Sequence, residues 1–392
     1  MTDLRPETRV VHLPKPSVHG STPITVPLYQ TSGFVFDDPA VFADGMGRPD
    51  GAYVYARYSN PTVRALEEAV SDLEGGVAAV AAGSGMGAIN TVLLGLLQPG
   101  DHVIAQRALY GGTAHMLHDL SERYGLQVTH VPENDPQAVR DAVRPETKLL
   151  YLETIANPMT QVADLPGMCA AAREAGILTV VDNTFASPLL CRPLEHGADI
   201  VVHSTTKYLS GHADLVGGIT VFADDALYRK VWSYSCALGA SCDPFAAWLT
   251  LRGMQTLALR MERHCANART VATRLTGHPA VAAVHWPGLP DHPSYELAAK
   301  LMPDFGGVLS FDLAGGREAG AKFMSTIEVA LLAPSLGGVE TLVLHPATTS
   351  HRFLDEDGLA AAGIGPGTVR LAIGIEHPED LWADIARALD AL

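Results

Sequence analysis

The chain has 392 residues, room for one or two domains with a large core, and 47% of them are hydrophobic. Its 27 Lys and Arg against 43 Asp and Glu leave a formal charge of -16, which speaks against a nucleic-acid partner and for small-molecule work. Five cysteines (Cys169, Cys191, Cys236, Cys242 and Cys265) are odd in number and include no Cys-x-x-Cys pair, which argues against a disulfide framework or a thiolate zinc site and fits a reducing compartment.

Residues 1–60 open Met-Thr-Asp-Leu-Arg-Pro-Glu, without the apolar core of a secretory signal. They are rich in Pro, Gly and Ser with little periodicity, and read as an extended arm lying on another surface. From residue 61 the character changes. In "NPTVRALEEAVSDLEGG" the residues Val63, Leu66, Ala69, Val70 and Leu73 fall at helical spacing, and Gly75-Gly76 closes the helix. Short apolar runs ("VAAVAAG", "HVIAQ", "KLLYLE", "ILTVVDN", "DIVVHS") then alternate with helical stretches such as "MGAINTVLLGLLQ" and "LPGMCAAAREAG". That alternation predicts an α/β domain over residues 61–245 around a mostly parallel sheet. Residues 246–392 predict a smaller α+β domain with one long helix ("FAAWLTLRGMQTLALRMERHCANARTVATRL"), a strand ("GGVLSFDL") and a closing helix. The longest apolar run, Val92–Leu97, is too short to span a bilayer, so a cytoplasmic protein with no membrane partner is expected.

Ligands of open α/β sheets gather outside the carboxyl ends of the strands. Three of these ends carry unusual residues. "AAGSGMGAIN" places Ser84 and a glycine-rich turn at a helix start, which serves either close packing or a phosphate. No Gly-Lys-Ser/Thr follows, so it is not a Walker A loop, and Ala82 in place of glycine excludes a serine-hydrolase elbow. Asp182 ends the apolar run of "ILTVVDN", either as a cap for the next turn or as partner to a protonated ring nitrogen. Lys207 follows 25 residues later in "HSTTKYLSGH", either as a surface cation or as a desolvated amine able to form a Schiff base, with Ser204 and Thr206 as donors beside it. Together the three form a parts list for pyridoxal 5'-phosphate (PLP). His203, His212, His115 and His118 read as structural or solvated, because no acid or cysteine completes a metal set.

With the motifs "YARYSNPT", "GSGMGA", "LYGGT", "ANP", "VVDNTFASP", "HSTTKYLSGH", "SLGGVETL", "HPATTSH" and "VRLAIGIE", the chain resembles the Cys/Met-metabolism PLP enzymes from about Tyr29 to its C-terminus. That family comprises methionine and cystathionine γ-lyases, cystathionine γ-synthases and O-acylhomoserine sulfhydrylases. The resemblance implies the aspartate-aminotransferase-like fold (fold type I) and a homotetramer of two tight dimers. It implies Lys207 as the Schiff-base lysine and proton shuttle, Asp182 on the pyridine nitrogen, and Tyr110 stacked on the ring and assisting proton transfer at the departing sulfur. It also implies Gly85, Met86, Ser204 and Thr206 around the phosphate, and Tyr55 and Arg57 reaching in from the neighbouring subunit. Asn157, Ser335 and Arg370 would serve the cofactor hydroxyl and the substrate carboxylate, with Tyr55 beside the substrate. Arg370 suits a carboxylate because its planar fork bonds bidentately, the alternative being a structural ion pair with Glu376.

Pro334 stands where members that handle cystathionine carry an acid, which favours a short thioether. Gly112 stands where methionine γ-lyases carry a cysteine, and Ser235 and Cys236 replace a Lys-Asp pair. The expected reaction is PLP-dependent γ-elimination on a sulfur amino acid, releasing thiol, 2-oxobutanoate and ammonia. The alternative is γ-replacement on an activated homoserine ester. From another class, a non-catalytic phosphate- or nucleotide-binding protein would use the same sheet.

Overall fold

Seven short strands, mostly apolar on both faces, assemble into one sheet in the computed structural model, which describes residues 4–15, 20–352 and 355–392. They are β1 (Ala78–Ala82), β2 (His102–Gln106), β3 (Gln127–Val131), β4 (Thr147–Glu153), β5 (Leu178–Asp182), β6 (Ile200–His203) and β7 (Gly218–Phe222). The spatial order is β1-β7-β6-β5-β4-β2-β3, parallel from β6 through β3, with β7 antiparallel to both of its neighbours. Side chains alternate across the sheet, so β4 sends Leu149 and Tyr151 into one core and Leu150 and Leu152 into the other.

The helix Pro61–Glu74 starts where Asn60 accepts from the Thr62 and Val63 amides and stops at Gly75, whose φ of 78° suits glycine. The single long helix expected after residue 245 is in fact two, Pro244–Met254 and Leu257–Leu275. The break has a visible cause. Arg260 donates to the Gly253 and Tyr208 carbonyls and to Thr256 Oγ1, and the backbone of Ser210 crowds the Cα of Gly253.

A second sheet follows: β8 (Val281–His285), β9 (Val308–Leu313), β10 (Leu331–Leu332), β11 (Leu342–Leu344) and β12 (Thr368–Ala372), in the order β10-β11-β12-β9-β8. Trp286, Phe311, Phe323 and Ile385 pack a separate core behind it, closed by the helix Pro378–Asp390. Residues 1–3 and 16–19 of the expected arm lie outside the described residues. From residue 20 the arm holds one short helix, Pro39–Gly45, and is tied back by Trp248 Nε1 donating to the Val26 carbonyl at 2.9 Å. It leaves Ile24 92% and Val35 98% exposed. Among the described residues no helix is long and apolar enough to cross a membrane.

Candidate active site

Glu153 and Asp182 end neighbouring strands and lie opposite each other in the register. Asp182 Oδ1 accepts from the Thr184 amide at 3.0 Å, and no ion pair reaches it among the described residues. Burial pushes its carboxyl up, while the Thr184 contacts and the charge of nearby His203 pull it back. Glu153 is pushed well above the usual carboxylate range by burial and then by Asp182, and its Oε1 accepts from the Tyr110 amide. Burial and mutual repulsion thus oppose charge on both of these adjacent acids at once, and an arriving cation would relieve that opposition.

Lys207 follows β6 in a turn that Gly337 presses against, since a Cβ at Gly337 would come within 2.6 Å of the Tyr208 amide nitrogen. Its Nζ donates to Ser335 Oγ at 2.6 Å. Burial, and then the Arg370 guanidinium, bring the ammonium down to about 8, so the amine is half neutral at mildly alkaline pH. Arg370 sits on β12, 5% exposed, and donates Nη1 to Asn157 Oδ1 and Nη2 to the Ser335 carbonyl, both at 2.8 Å. Its Nε is buried without a partner, and burial lowers the guanidinium to about 10. Glu376, the alternative partner, instead takes the Thr341 amide and hydroxyl. A buried arginine without a carboxylate, and with one donor idle, fits an incoming carboxylate.

Ser84 caps the helix Gly85–Leu96 by accepting from the Gly87 amide at 2.9 Å, leaving the first amides of Gly85 and Met86 with no intrahelical acceptor. Gly85 lies against Ser204, where a Cβ would meet the Ser204 Cβ at 2.8 Å, so the glycine lets the two strand ends close into one cradle. Ser204 is placed by its amide, which donates to Thr184 Oγ1 at 2.9 Å. Thr206 Oγ1 is occupied by Gly217, accepting from its amide at 3.0 Å and donating to its carbonyl at 3.3 Å.

Tyr110 precedes the helix Gly111–Tyr124, and its ring is 46% exposed. The ring lies over Gly112, where a Cβ would meet its Cε1 at 2.5 Å and Met86 Sδ at 2.8 Å. Tyr55 and Arg57 are not hydrogen-bonded to any of these groups. Arg57 donates to the Cys236 carbonyl in the last turn of the helix Asp225–Leu238 and lies 4.7 Å over the Tyr58 ring, with Tyr55 exposed beside it. Among the buried acids that the sequence pattern does not single out are Glu153 and Glu74. Glu153 ends an apolar run just as Asp182 does, and that signal was present in "KLLYLE".

A flat, anionic, carbonyl-bearing cofactor fits these residues: a desolvated amine, an acid without a cation, free helix-start amides and an idle buried arginine converge outside the strand ends. The fold and this set define an α/β enzyme that uses pyridoxal phosphate. Comparison with known proteins takes the assignment further. The family model of Cys/Met metabolism PLP-dependent enzymes matches residues 7–390. An L-methionine γ-lyase of Porphyromonas gingivalis is 46% identical over 372 residues, 94% of this chain and 93% of that one. A cystathionine γ-synthase of Mycobacterium bovis is 40% identical, covering 98% and 96%. The crystal structure of cystathionine γ-synthase from Xanthomonas oryzae pv. oryzae, in complex with aminoacrylate and cysteine, superposes with a TM-score of 0.92 at 41% identity, covering 99% and 98%. The chain belongs to the Cys/Met metabolism PLP-dependent enzyme family. Its fold is the aspartate-aminotransferase-like type that the motifs implied.

Proposed function

We propose that the chain is a γ-lyase that splits methionine or a similarly short sulfur amino acid with water into a thiol, 2-oxobutanoate and ammonia. The observation that carries this reading is the stretch that leads into Ser335. Ala333 and Pro334 bring no charge directly before the residue that contacts both Lys207 and Arg370, which suits an apolar thioether end better than a second zwitterion. Several of the similar proteins are L-methionine γ-lyases, at 40–46% identity.

Bound pyridoxal phosphate supplies an electron sink for the charge left when Cα–H and then Cβ–H are broken. Arg370 holds the substrate carboxylate through its planar fork, with Asn157 and the Ser335 carbonyl fixing the fork's plane. The Lys207 amine, poised near 8, would take the proton from Cα and give it up again, which frees its lone pair to take the proton from Cβ, and Ser335 Oγ sets where that lone pair points. The Tyr110 hydroxyl gives a proton to the departing sulfur. Asp182 would face the ring nitrogen, and Gly85, Met86 and Ser204, with Thr206 behind them, would hold the phosphate.

Residues 61–245 serve as the cofactor-binding domain and residues 246–392 close over the substrate. Residues 1–60, with exposed Ile24, Val35 and Tyr55, pack on a second copy and carry Tyr55 and Arg57 to its phosphate and substrate, in a homotetramer. Five free cysteines support a cytoplasmic location.

A second reading, γ-replacement on an O-acylhomoserine, draws support from Gly112 and from the superposition on a γ-synthase. The experiment that separates them offers methionine, cystathionine and O-acetyl- or O-succinylhomoserine, each with and without cysteine. 2-Oxobutanoate from methionine without added thiol supports the lyase, and product only from an ester plus thiol overturns it.

A further inference from the structure

Glu74 closes the helix Pro61–Glu74 and is completely buried. Its Oε1 accepts from His203 Nε2 at 2.6 Å and from Asn183 Nδ2 at 2.8 Å, while Oε2 has no partner. Asn183 Oδ1 in turn accepts from Thr154 Oγ1 at 2.7 Å. These three residues stand at the ends of β4, β5 and β6, each next in the chain to a site residue: Thr154 to Glu153, Asn183 to Asp182, His203 to Ser204. Strand alternation puts the two sets on opposite faces, with Val181 and Val201 in the core beneath the helix and Val180 and Val202 in the other. One carboxylate therefore ties together, from below, the three strand ends whose upper faces form the site.

A structural tie alone does not need a charge. An amide would accept the same two hydrogen bonds, and a buried carboxylate with an idle oxygen is costly. The charge has a neighbour one residue away: Glu74 and His203 lie within ion-pair distance at 2.6 Å, and the charge of His203 draws the Asp182 carboxyl back against the upward push of burial.

We propose that Glu74 is a positioning residue for the cofactor site, which through Asn183 and His203 aligns the ends of β5 and β6 and, through its buried ion pair with His203, sets the charge that faces the ring nitrogen from Asp182. This rests on the reading of Asp182 as the ring-nitrogen partner.

Glu74→Gln keeps the shape and both acceptor contacts but removes the charge. Two ligands are titrated into the apoprotein: pyridoxal phosphate, and its analogue with carbon in place of the ring nitrogen. The variant is expected to bind pyridoxal phosphate about tenfold more weakly, with less than about a twofold change for the analogue. Its apoprotein is expected to melt within a few degrees of wild type. Equal weakening of both ligands makes Glu74 a purely structural residue and overturns the proposal, as does no weakening of either. Equal affinity of the wild-type chain for the two ligands overturns the Asp182 reading first, and the proposal with it. If Glu74→Gln does not fold, His203→Gln carries the same expectation and is read with the same pair of ligands.

Discussion

The Lys207 ammonium donates to Ser335 Oγ at 2.6 Å, joining the turn after β6 to the loop before β11. Ser335 is held at φ 98°, a left-handed conformation that a serine occupies only under constraint. Two substitutions separate the hydroxyl from the backbone. Ser335→Ala removes the hydroxyl but keeps the strain, and should lower kcat by roughly tenfold or more with KM little changed. Ser335→Gly removes both, and should be more stable than Ser335→Ala by about 1 kcal/mol while remaining as slow.

Lys207 provides a pH test. With the folded pKa at about 8, the fraction of neutral amine rises through pH 8, two units or more below an exposed lysine. Cofactor loading onto the apoprotein should accelerate with an inflection near pH 8, as read by visible absorbance. The stability sign follows from the same shift. Between about 8 and the ordinary lysine value the unfolded chain keeps the proton that the folded chain has lost, so apoprotein stability gains from rising pH across that window. Lys207→Met should lack this gain when the two melting curves are compared.

Much of the site was legible because strand-end chemistry is written in short runs. Asp182 and Lys207 stand out as charged residues behind apolar strands, and Ser84 with its glycines marks a helix start. Less legible was whatever depended on partners far along the chain. β3 ("QVTHV") carries polar side chains at the sheet edge, where one face meets water, so it lacks the apolar run of β4 or β5. The break at Gln255–Thr256 arises from Arg260 reaching the lysine turn, a tertiary contact that helical periodicity does not encode. Glu74 ends a helix just as a solvated acid would. Only the packing of that helix under β6 shows it bound to His203, 129 residues away.

Arg370 places its two terminal nitrogens on Asn157 and Ser335 and leaves Nε idle. Arg370→Lys keeps a positive charge but loses the planar fork. Steady-state kinetics should show KM for the amino acid rising roughly 10- to 100-fold, with a smaller change in kcat. An unchanged KM would move the carboxylate site away from this arginine.

Gly112 leaves the space into which the Tyr110 ring leans beside Met86. Gly112→Ala should be tolerated by the fold, since the tyrosine ring and the thioether can both move, and stability should change by less than about 1 kcal/mol. The displaced ring should slow sulfur departure, lowering kcat for the thioether more than for an activated ester whose leaving group needs no proton. Equal loss on both substrates would dissociate Tyr110 from proton delivery.

The central claim is that Lys207 is the residue that holds the cofactor. Borohydride reduction of the protein loaded with pyridoxal phosphate, followed by digestion and mass spectrometry, reads this directly. The phosphopyridoxyl group is predicted on the peptide carrying Lys207 and on no other, and Lys207→Ala should show neither the label nor the visible band while keeping its fold. A label on any other lysine, or an unchanged visible band in Lys207→Ala, would contradict the account.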